Sequence, residues 1–179
     1  MNETTLRSAP GTGTGTGDET RAETGTGTLS YRVLLVCSSG GHLAQLMQLE
    51  PWWREHDRAW ACFPTEDAKG LLAGERTVWV HHPTTRNVKN LLKNFALAWR
   101  TLRRERPAVI VSTGAGAAVP FFWLGRLLRI PTVYLEVYDR VDSRTMTGRL
   151  CHPVSDLFLV QWERQRELYG SGTVVGPVY

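Results

Sequence analysis

Tyr31-Arg32-Val33-Leu34-Leu35-Val36-Cys37-Ser38-Ser39-Gly40-Gly41-His42-Leu43-Ala44-Gln45-Leu46-Met47 is the stretch on which the fold reading turns. Val33 to Val36 are apolar at every position, the pattern of a strand covered on both faces rather than one washed by solvent. The chain then passes through a small-residue turn straight into a segment of helical period, so strand, glycine loop and helix follow one another with no linker. Working outward, the same alternation repeats to the end of the chain. Strands are expected at 31–37, 58–63, 77–80, 109–112, 132–136, 157–160 and 173–175, with helices near 42–50, 66–73, 87–104, 116–128, 143–151 and 163–169. Pro64, Pro107 and Pro131 fall at element boundaries, where a residue that can neither continue a helix nor donate to a ladder belongs. The expected fold is α/β, a Rossmann-like doubly wound parallel sheet with ligand groups at the carboxyl ends of its strands.

The chain has 179 residues, 42% of them hydrophobic, which suits one soluble domain with a core of its own. Residues 1 to 30 depart from that average, with six Gly and nine Thr, including Gly11-Thr12-Gly13-Thr14-Gly15-Thr16-Gly17. A stretch of that composition buries too little apolar surface to offset its chain entropy, so it is expected as a disordered tail ahead of a domain at 31–179. The tail holds two Arg against four acids, which leaves 19 bases and 13 acids, net +6, on the remainder. Cys37, Cys62 and Cys151 are an odd number without CxxC spacing, which disfavours a disulfide framework and a zinc site; no metal is expected. An apolar signal core of about 7–15 residues is missing, as is a run of about 18 apolar residues, so the expected location is cytoplasmic.

Two loops carry the chemistry. Ser38, Ser39, Gly40 and Gly41 lie between the first strand and a helix start, where glycines let the backbone approach an anion, and His42 beside them suits proton transfer. The alternative for these residues is a tight turn with a capping serine and a surface histidine. The second loop, Ser112-Thr113-Gly114-Ala115-Gly116, follows the fourth strand. With Glu136 some twenty residues on it imitates a dinucleotide fingerprint, but Val119 stands where the third glycine belongs and the unit is not the first βαβ. Thr113, Gly114 and Gly116 therefore read as the second half of a backbone cradle, since the strand order of such sheets reverses between strands one and four. Two loops facing one crevice suit a diphosphate. Glu136 ends the fifth strand and precedes Tyr138-Asp139-Arg140, so it is a candidate general base, with an ion pair to Arg140 as the structural alternative.

The segment from Arg86 to Arg106 holds seven bases against Glu105. At helical period Arg86, Lys89, Lys93, Arg100 and Arg104 share one face, while Val88, Leu91, Leu92, Phe95, Trp99 and Leu102 share the opposite one, expected as core. The basic face suits an anionic membrane surface or another polyanion. In the next helix Phe121-Phe122-Trp123 and Arg126 read as an interfacial patch, with Phe122 and Trp123 dipping in and Arg126 snorkelling; plain core or a partner interface is the alternative. Nucleic acid is not an expected partner, for want of any binding module.

Taken together, Ser38-Ser39-Gly40-Gly41-His42, Ser112-Thr113-Gly114-Ala115-Gly116, Tyr134-Leu135-Glu136, Val141-Asp142-Ser143 with Thr147-Gly148-Arg149-Leu150, Asp156 to Trp162 and Val175-Gly176-Pro177-Val178 resemble one family over residues 31–179. It is that of the membrane-anchoring subunit of the dolichol-linked N-acetylglucosaminyltransferase and its bacterial exopolysaccharide relatives of the PssD/CpsF type. The resemblance implies the N-terminal, acceptor-binding half of a GT-B glycosyltransferase such as MurG, with the donor half a separate polypeptide. Carried over by motif, Gly40, Gly41 and His42 would face an acceptor diphosphate, Gly114 and Gly116 would complete that cradle and Glu136 would lie near the acceptor sugar; Ser38, Ser39, Thr113 and Arg140 are candidate contacts to the same anion, and Glu136 or His42 is the candidate base, with the partner as the alternative source of that group. The helices bearing Arg86, Lys89, Lys93, Arg100, Arg104, Phe122, Trp123 and Arg126 would face the bilayer that holds a polyprenyl-diphosphate acceptor. No cofactor is implied for this chain, since the UDP-sugar would be bound mainly by the partner. Eukaryotic members carry an N-terminal membrane helix where this sequence has its Gly-Thr stretch, a departure from the family pattern. The expected location is cytoplasmic, peripheral on the inner face of the cell membrane.

Overall fold

The structure, a computed structural model, describes residues 30–84 and 87–178. The Gly-Thr stretch up to residue 29 and Arg86 lie outside the described residues. Seven strands form one parallel sheet in the order β3-β2-β1-β4-β5-β6-β7. They are β1 (Arg32–Val36), β2 (Asp57–Cys62), β3 (Thr77–Trp79), β4 (Val109–Ser112), β5 (Thr132–Leu135), β6 (Leu157–Val160) and β7 (Thr173–Val174). Val33 of β1 pairs with Arg58 on one side and Val109 on the other, so β1 and β4 are neighbours and the strand order reverses between them. A crevice opens at the carboxyl ends of strands at such a reversal.

Helices α1 (Gly41–Met47), α2 (Glu50–Trp53) and α3 (Glu66–Leu71) cover one face over β1 and β2. Their cluster joins Val33, Leu35 and Trp60 to Leu43, Leu46 and Trp53. The other face carries α4 (Val88–Glu105), α5 (Ala118–Leu127), α6 (Met146–Cys151) and α7 (Glu163–Tyr169). There Leu34, Val36 and Ile110 meet Ala98, Leu102 and Phe121. Alternate residues of β1 thus enter two different cores, as a pleated strand between two helix layers requires. The one helix expected at 42–50 ends early: α1 stops at Met47, and a separate α2 follows with Pro51 in its first turn, where a missing N–H costs no hydrogen bond.

Covering is incomplete on the α1–α3 side. Val109, Val111, Val133, Leu135, Leu157 and Leu159 floor a trough of about 590 Å³ edged by Leu49 and Trp52. Among the described residues no helix lies over it, so β1 is covered on both faces as its sequence predicts, while β4 to β6 are bare on this one.

Candidate functional site

The β1 and β4 loops meet at the reversal and clamp each other. His42 Nδ1 lies 2.7 Å from the Thr113 carbonyl oxygen, and the Thr113 hydroxyl donates back to the His42 carbonyl at 2.7 Å. A carbonyl only accepts, so Nδ1 carries the hydrogen and Nε2 of the neutral ring keeps its lone pair. Burial holds the imidazole pKa below its usual 6.5, opposed by the Thr113 bond and by the charge of Asp139. A neutral ring with its basic nitrogen fixed by a second bond is the form a general base needs.

Glycine is required on both sides of this clamp. Gly40 sits at φ +66°, and a side chain on Gly40 or Gly41 would meet open space, so the loop stands clear of the protein. Gly114, at φ +105°, has the Tyr134 hydroxyl 2.7 Å and the His42 ring 3.3 Å from where a Cβ would be. Gly116 is packed on Thr84, a residue that nothing in the sequence pattern singled out. The cradle offers fewer open donors than its glycines suggest. The Gly40 amide donates to Asp67 Oδ2 at 3.2 Å, and the Gly114 amide to Ser112 Oγ at 3.0 Å. Ser38 is nearly buried and donates to the Ser39 carbonyl at 3.1 Å.

Glu136 does not face the crevice. It is fully buried, and its carboxylate accepts from the Tyr169 hydroxyl, from Thr145 Oγ1 at 3.0 and 3.1 Å and from the Val137 amide at 3.0 Å. Burial pushes its pKa up, against the pull of those donors. Thr145 also caps α6 by accepting from the Gly148 amide at 2.9 Å. Glu136 is therefore a strut joining β5, α6 and α7, which corrects its reading as an available base. The following loop is held by its carbonyls: Gln165 Nε2 donates to Val137 and Arg140, and Trp162 Nε1 to Tyr138. Arg140 is exposed there, and among the described ion pairs none joins it to Glu136 or Asp139. Sequence reasoning missed Gln161, Gln165 and Thr145; polar residues beside apolar strands were their only signal.

The basic helix is turned differently from expectation. Lys89, Lys93, Arg100 and Arg104 are exposed, but so are Val88 (69%), Leu92 (65%) and Trp99 (40%), which correct the reading of that stripe as core. Of the expected core stripe Leu102 is buried and Leu91 and Phe95 are half-buried, while Asn94, Ala98, Thr101 and Glu105 fill the rest of the inward face. The cause is Asn94, whose amide group bonds both the N–H and the carbonyl of His81 at 2.9 and 2.8 Å. A buried amide finds these partners only in this rotation, and the small side chains after it let α4 pack closely on α5. On α5, Phe122 is fully buried against Tyr134, 5.7 Å between ring centres, so it belongs to the core and not to a surface patch. Trp123 is exposed, with its Nε1 on the Leu150 carbonyl of α6 at 3.2 Å, and Arg126 is exposed 3.6 Å from Asp156. Leu127, Met146 and Leu150 extend the exposed apolar surface along α5 and α6. No helix among the described residues is long and apolar enough to cross a membrane, and no cluster of three or more His, Cys, Asp or Glu is placed to hold a metal.

A seven-stranded parallel sheet reversing at β1/β4, with glycine loops on both sides of the crevice, defines a Rossmann-like unit of the kind from which GT-B glycosyltransferases are built. It is similar in fold to MurG of Acinetobacter baumannii, with a TM-score of 0.68 at 16% identity over 83% of this chain and 46% of that one. UDP-N-acetylglucosamine 2-epimerase of Rickettsia bellii shares the fold at a TM-score of 0.63 and 12% identity, covering 78% and 41%. The chain thus spans less than half the length of these structures. Residues 65–178 match the family described as "Oligosaccharide biosynthesis protein Alg14 like", and the chain belongs to that family. Its relatives include the UDP-N-acetylglucosamine transferase subunit ALG14 of Candida albicans, 26% identical over 158 residues, covering 75% of this chain and 72% of the relative. The subunit of the same name from Homo sapiens is 28% identical over 109 residues, covering 58% and 50%.

Proposed function

We propose that this chain is the acceptor-binding, membrane-associating subunit of a heteromeric glycosyltransferase that moves a sugar, N-acetylglucosamine by analogy with its named relatives, from a UDP donor onto a polyprenyl-diphosphate-linked acceptor. The observation that carries the reading is the reciprocal clamp between His42 and Thr113, which sets an unprotonated imidazole nitrogen beside two glycine loops. In this mechanism the acceptor hydroxyl gives its proton to His42 Nε2 and attacks the anomeric carbon, and UDP leaves with the bonding electrons. Gly40, Gly41, Gly114 and Gly116 shape the loops that receive the acceptor diphosphate, with Ser39 and Arg140 at their margin; Thr113, fully buried with its hydroxyl on the His42 carbonyl, positions the imidazole instead of meeting the anion, and Asp67 yields the Gly40 amide when the anion arrives.

A partner chain supplies the UDP-sugar site, so this subunit holds no cofactor of its own. The uncovered apolar trough supports a second polypeptide, because parallel sheets are stable when both faces are covered. The exposed stripe of Val88, Leu92 and Trp99, flanked by Lys89, Lys93 and Arg100, supports peripheral attachment to an anionic bilayer at its cytoplasmic face. The bacterial polysaccharide branch of the family is the reading we favour, in a pathway that builds exopolysaccharide or a lipid-linked oligosaccharide.

Co-expression with a donor-binding partner tests this: transfer to a polyprenyl-diphosphate sugar is expected only with both chains, and robust transfer by this chain alone overturns the subunit model. A second reading is a recruiter that brings the partner to the membrane without taking part in chemistry. It is favoured if His42→Ala leaves turnover unchanged while partner binding is intact.

A further inference from the structure

We propose that the connection His81–Thr84 is the third wall of the acceptor crevice and that the Thr84 hydroxyl donates to the diphosphate bound there. The inference rests on the reading of this chain as the acceptor subunit of a sugar transferase. β3 is the edge strand, and β4 lies three places away from it in the sheet. The chain leaving β3 nevertheless touches the ends of both strands that flank β1. The His82 ring lies on Phe63, the residue after β2, with ring centres 5.5 Å apart, and Thr84 lies on Gly116 in the loop after β4. Between these contacts the segment passes over the carboxyl end of β1, where the crevice opens. Three strand spacings come to about 14 Å, the reach of about four extended residues.

Side chains of α4 hold this crossing. Asn94 bonds the N–H and the carbonyl of His81 at 2.9 and 2.8 Å, and Asn90 Nδ2 donates to the Pro83 carbonyl at 3.0 Å. Thr84 therefore follows a backbone fixed at two points. Gly116 is what lets it come so close, since a Cβ there would stand 2.5 Å from Thr84 Oγ1 and 2.8 Å from its Cβ. The protein itself makes no use of the hydroxyl: among the described residues it has no hydrogen-bond partner. Thr84 is only half-buried, and its Oγ1 is not one of the polar atoms sealed from solvent, so a ligand can reach it. Donors are what the cradle lacks, because the Gly40 and Gly114 amides are already engaged by Asp67 and Ser112. A hydroxyl set on a fixed backbone beside Gly116 supplies one to a phosphate oxygen, a bond strengthened by the charge of its acceptor. Asn90 and Asn94 are positioning residues, acting through Thr84.

The full chain is titrated with inorganic pyrophosphate and followed by amide NMR. Shifts are expected at Thr84 and Gly116 together with Gly40 and Gly41. Thr84→Val keeps the shape against Gly116 and removes the donor, and it is expected to weaken binding roughly tenfold, the scale of one hydrogen bond to a charged group. Thr84→Ser, which keeps the donor and drops a methyl, is expected to recover most of that loss. Equal losses in the two variants, full binding by Thr84→Val, or no shift at Thr84 in the wild type overturn the proposal and leave the residue a packing contact. Should Thr84→Val fail to fold, Thr84→Ala gives the same comparison with Thr84→Ser. Asn90→Ala is expected to weaken binding by itself and to add nothing to Thr84→Val; losses that multiply overturn its positioning role. With the donor-binding partner present, Thr84→Val is expected to raise KM for the acceptor roughly tenfold with kcat unchanged, and a rise for the UDP-sugar alone overturns the assignment to the acceptor's diphosphate. Pyrophosphate held through Thr84 in an assembly that shows no transfer would sink the proposed function and keep the site; transfer with an acceptor KM indifferent to Thr84→Val would do the reverse.

Discussion

His42 after β1 and Glu136 after β5 stand at the same edge of one sheet, both partly or wholly withdrawn from water, and the fold puts them to opposite uses. The imidazole is tied through one nitrogen to Thr113, which leaves the other nitrogen at the mouth of an open glycine loop. The carboxylate has its oxygens occupied by Tyr169, Thr145 and Val137, with Gly148 pressed against it so closely that a side chain there would collide. A titratable group becomes chemically available when its partners satisfy only part of it. Where every lone pair is claimed, it becomes structure.

The sharpest way to break this contrast is His42→Ala in the assembled transferase. Turnover is expected to fall by about 10²–10⁴, the usual contribution of a positioned base, measured as kcat with partner recruitment verified. Because the imidazole pKa is lowered, the wild-type rate should hold as pH falls and decline only below 6.5, where the ring protonates.

Glu136→Ala acts on the other arm. It leaves the Tyr169 and Thr145 hydroxyls and the Val137 amide without their acceptor and is expected to cost about 3 kcal/mol in denaturant unfolding, with Glu136→Gln recovering most of it. A loss of turnover at unchanged stability would return Glu136 to the chemistry.

A parallel contrast separates two apolar residues of the α4–α5 face. Phe122→Ala is expected to cost about 3–5 kcal/mol of stability, as a large buried ring does. Leu92→Asp with Trp99→Asp should leave the melting temperature nearly unchanged yet abolish flotation with anionic vesicles. Charge reversal at Lys89, Lys93 and Arg100 should give a weaker, salt-sensitive version of the same loss.

The smallest effect is the pH dependence of stability. Burial raises the folded pKa of Glu136 above its usual 4.5, so its contribution is full below 4.5 and is lost as pH rises through the folded value. Glu136→Gln should flatten that decline, and a slope identical to wild type would show that another group sets it.

The local chain determined a good deal. Apolar runs marked β1, β4, β5 and β6, whose side chains are apolar on both faces, and the glycine loops after β1 and β4 were visible because a left-handed turn such as Gly40 disfavours other residues. The family followed from the order of those motifs. Rotation about each helix axis and the direction of each polar side chain were decided only by tertiary structure. Period placed Val88, Leu92 and Trp99 on one stripe but could not say that Asn94 would claim the inward position by bonding His81, since that bond joins residues that meet only once the sheet forms. Glu136 likewise was marked by its place after a strand, whereas its burial depends on Thr145 and Tyr169, which lie 9 and 33 residues further along. Hydrophobic period is a property of neighbours in the chain; the saturation of a buried polar group is a property of neighbours in space.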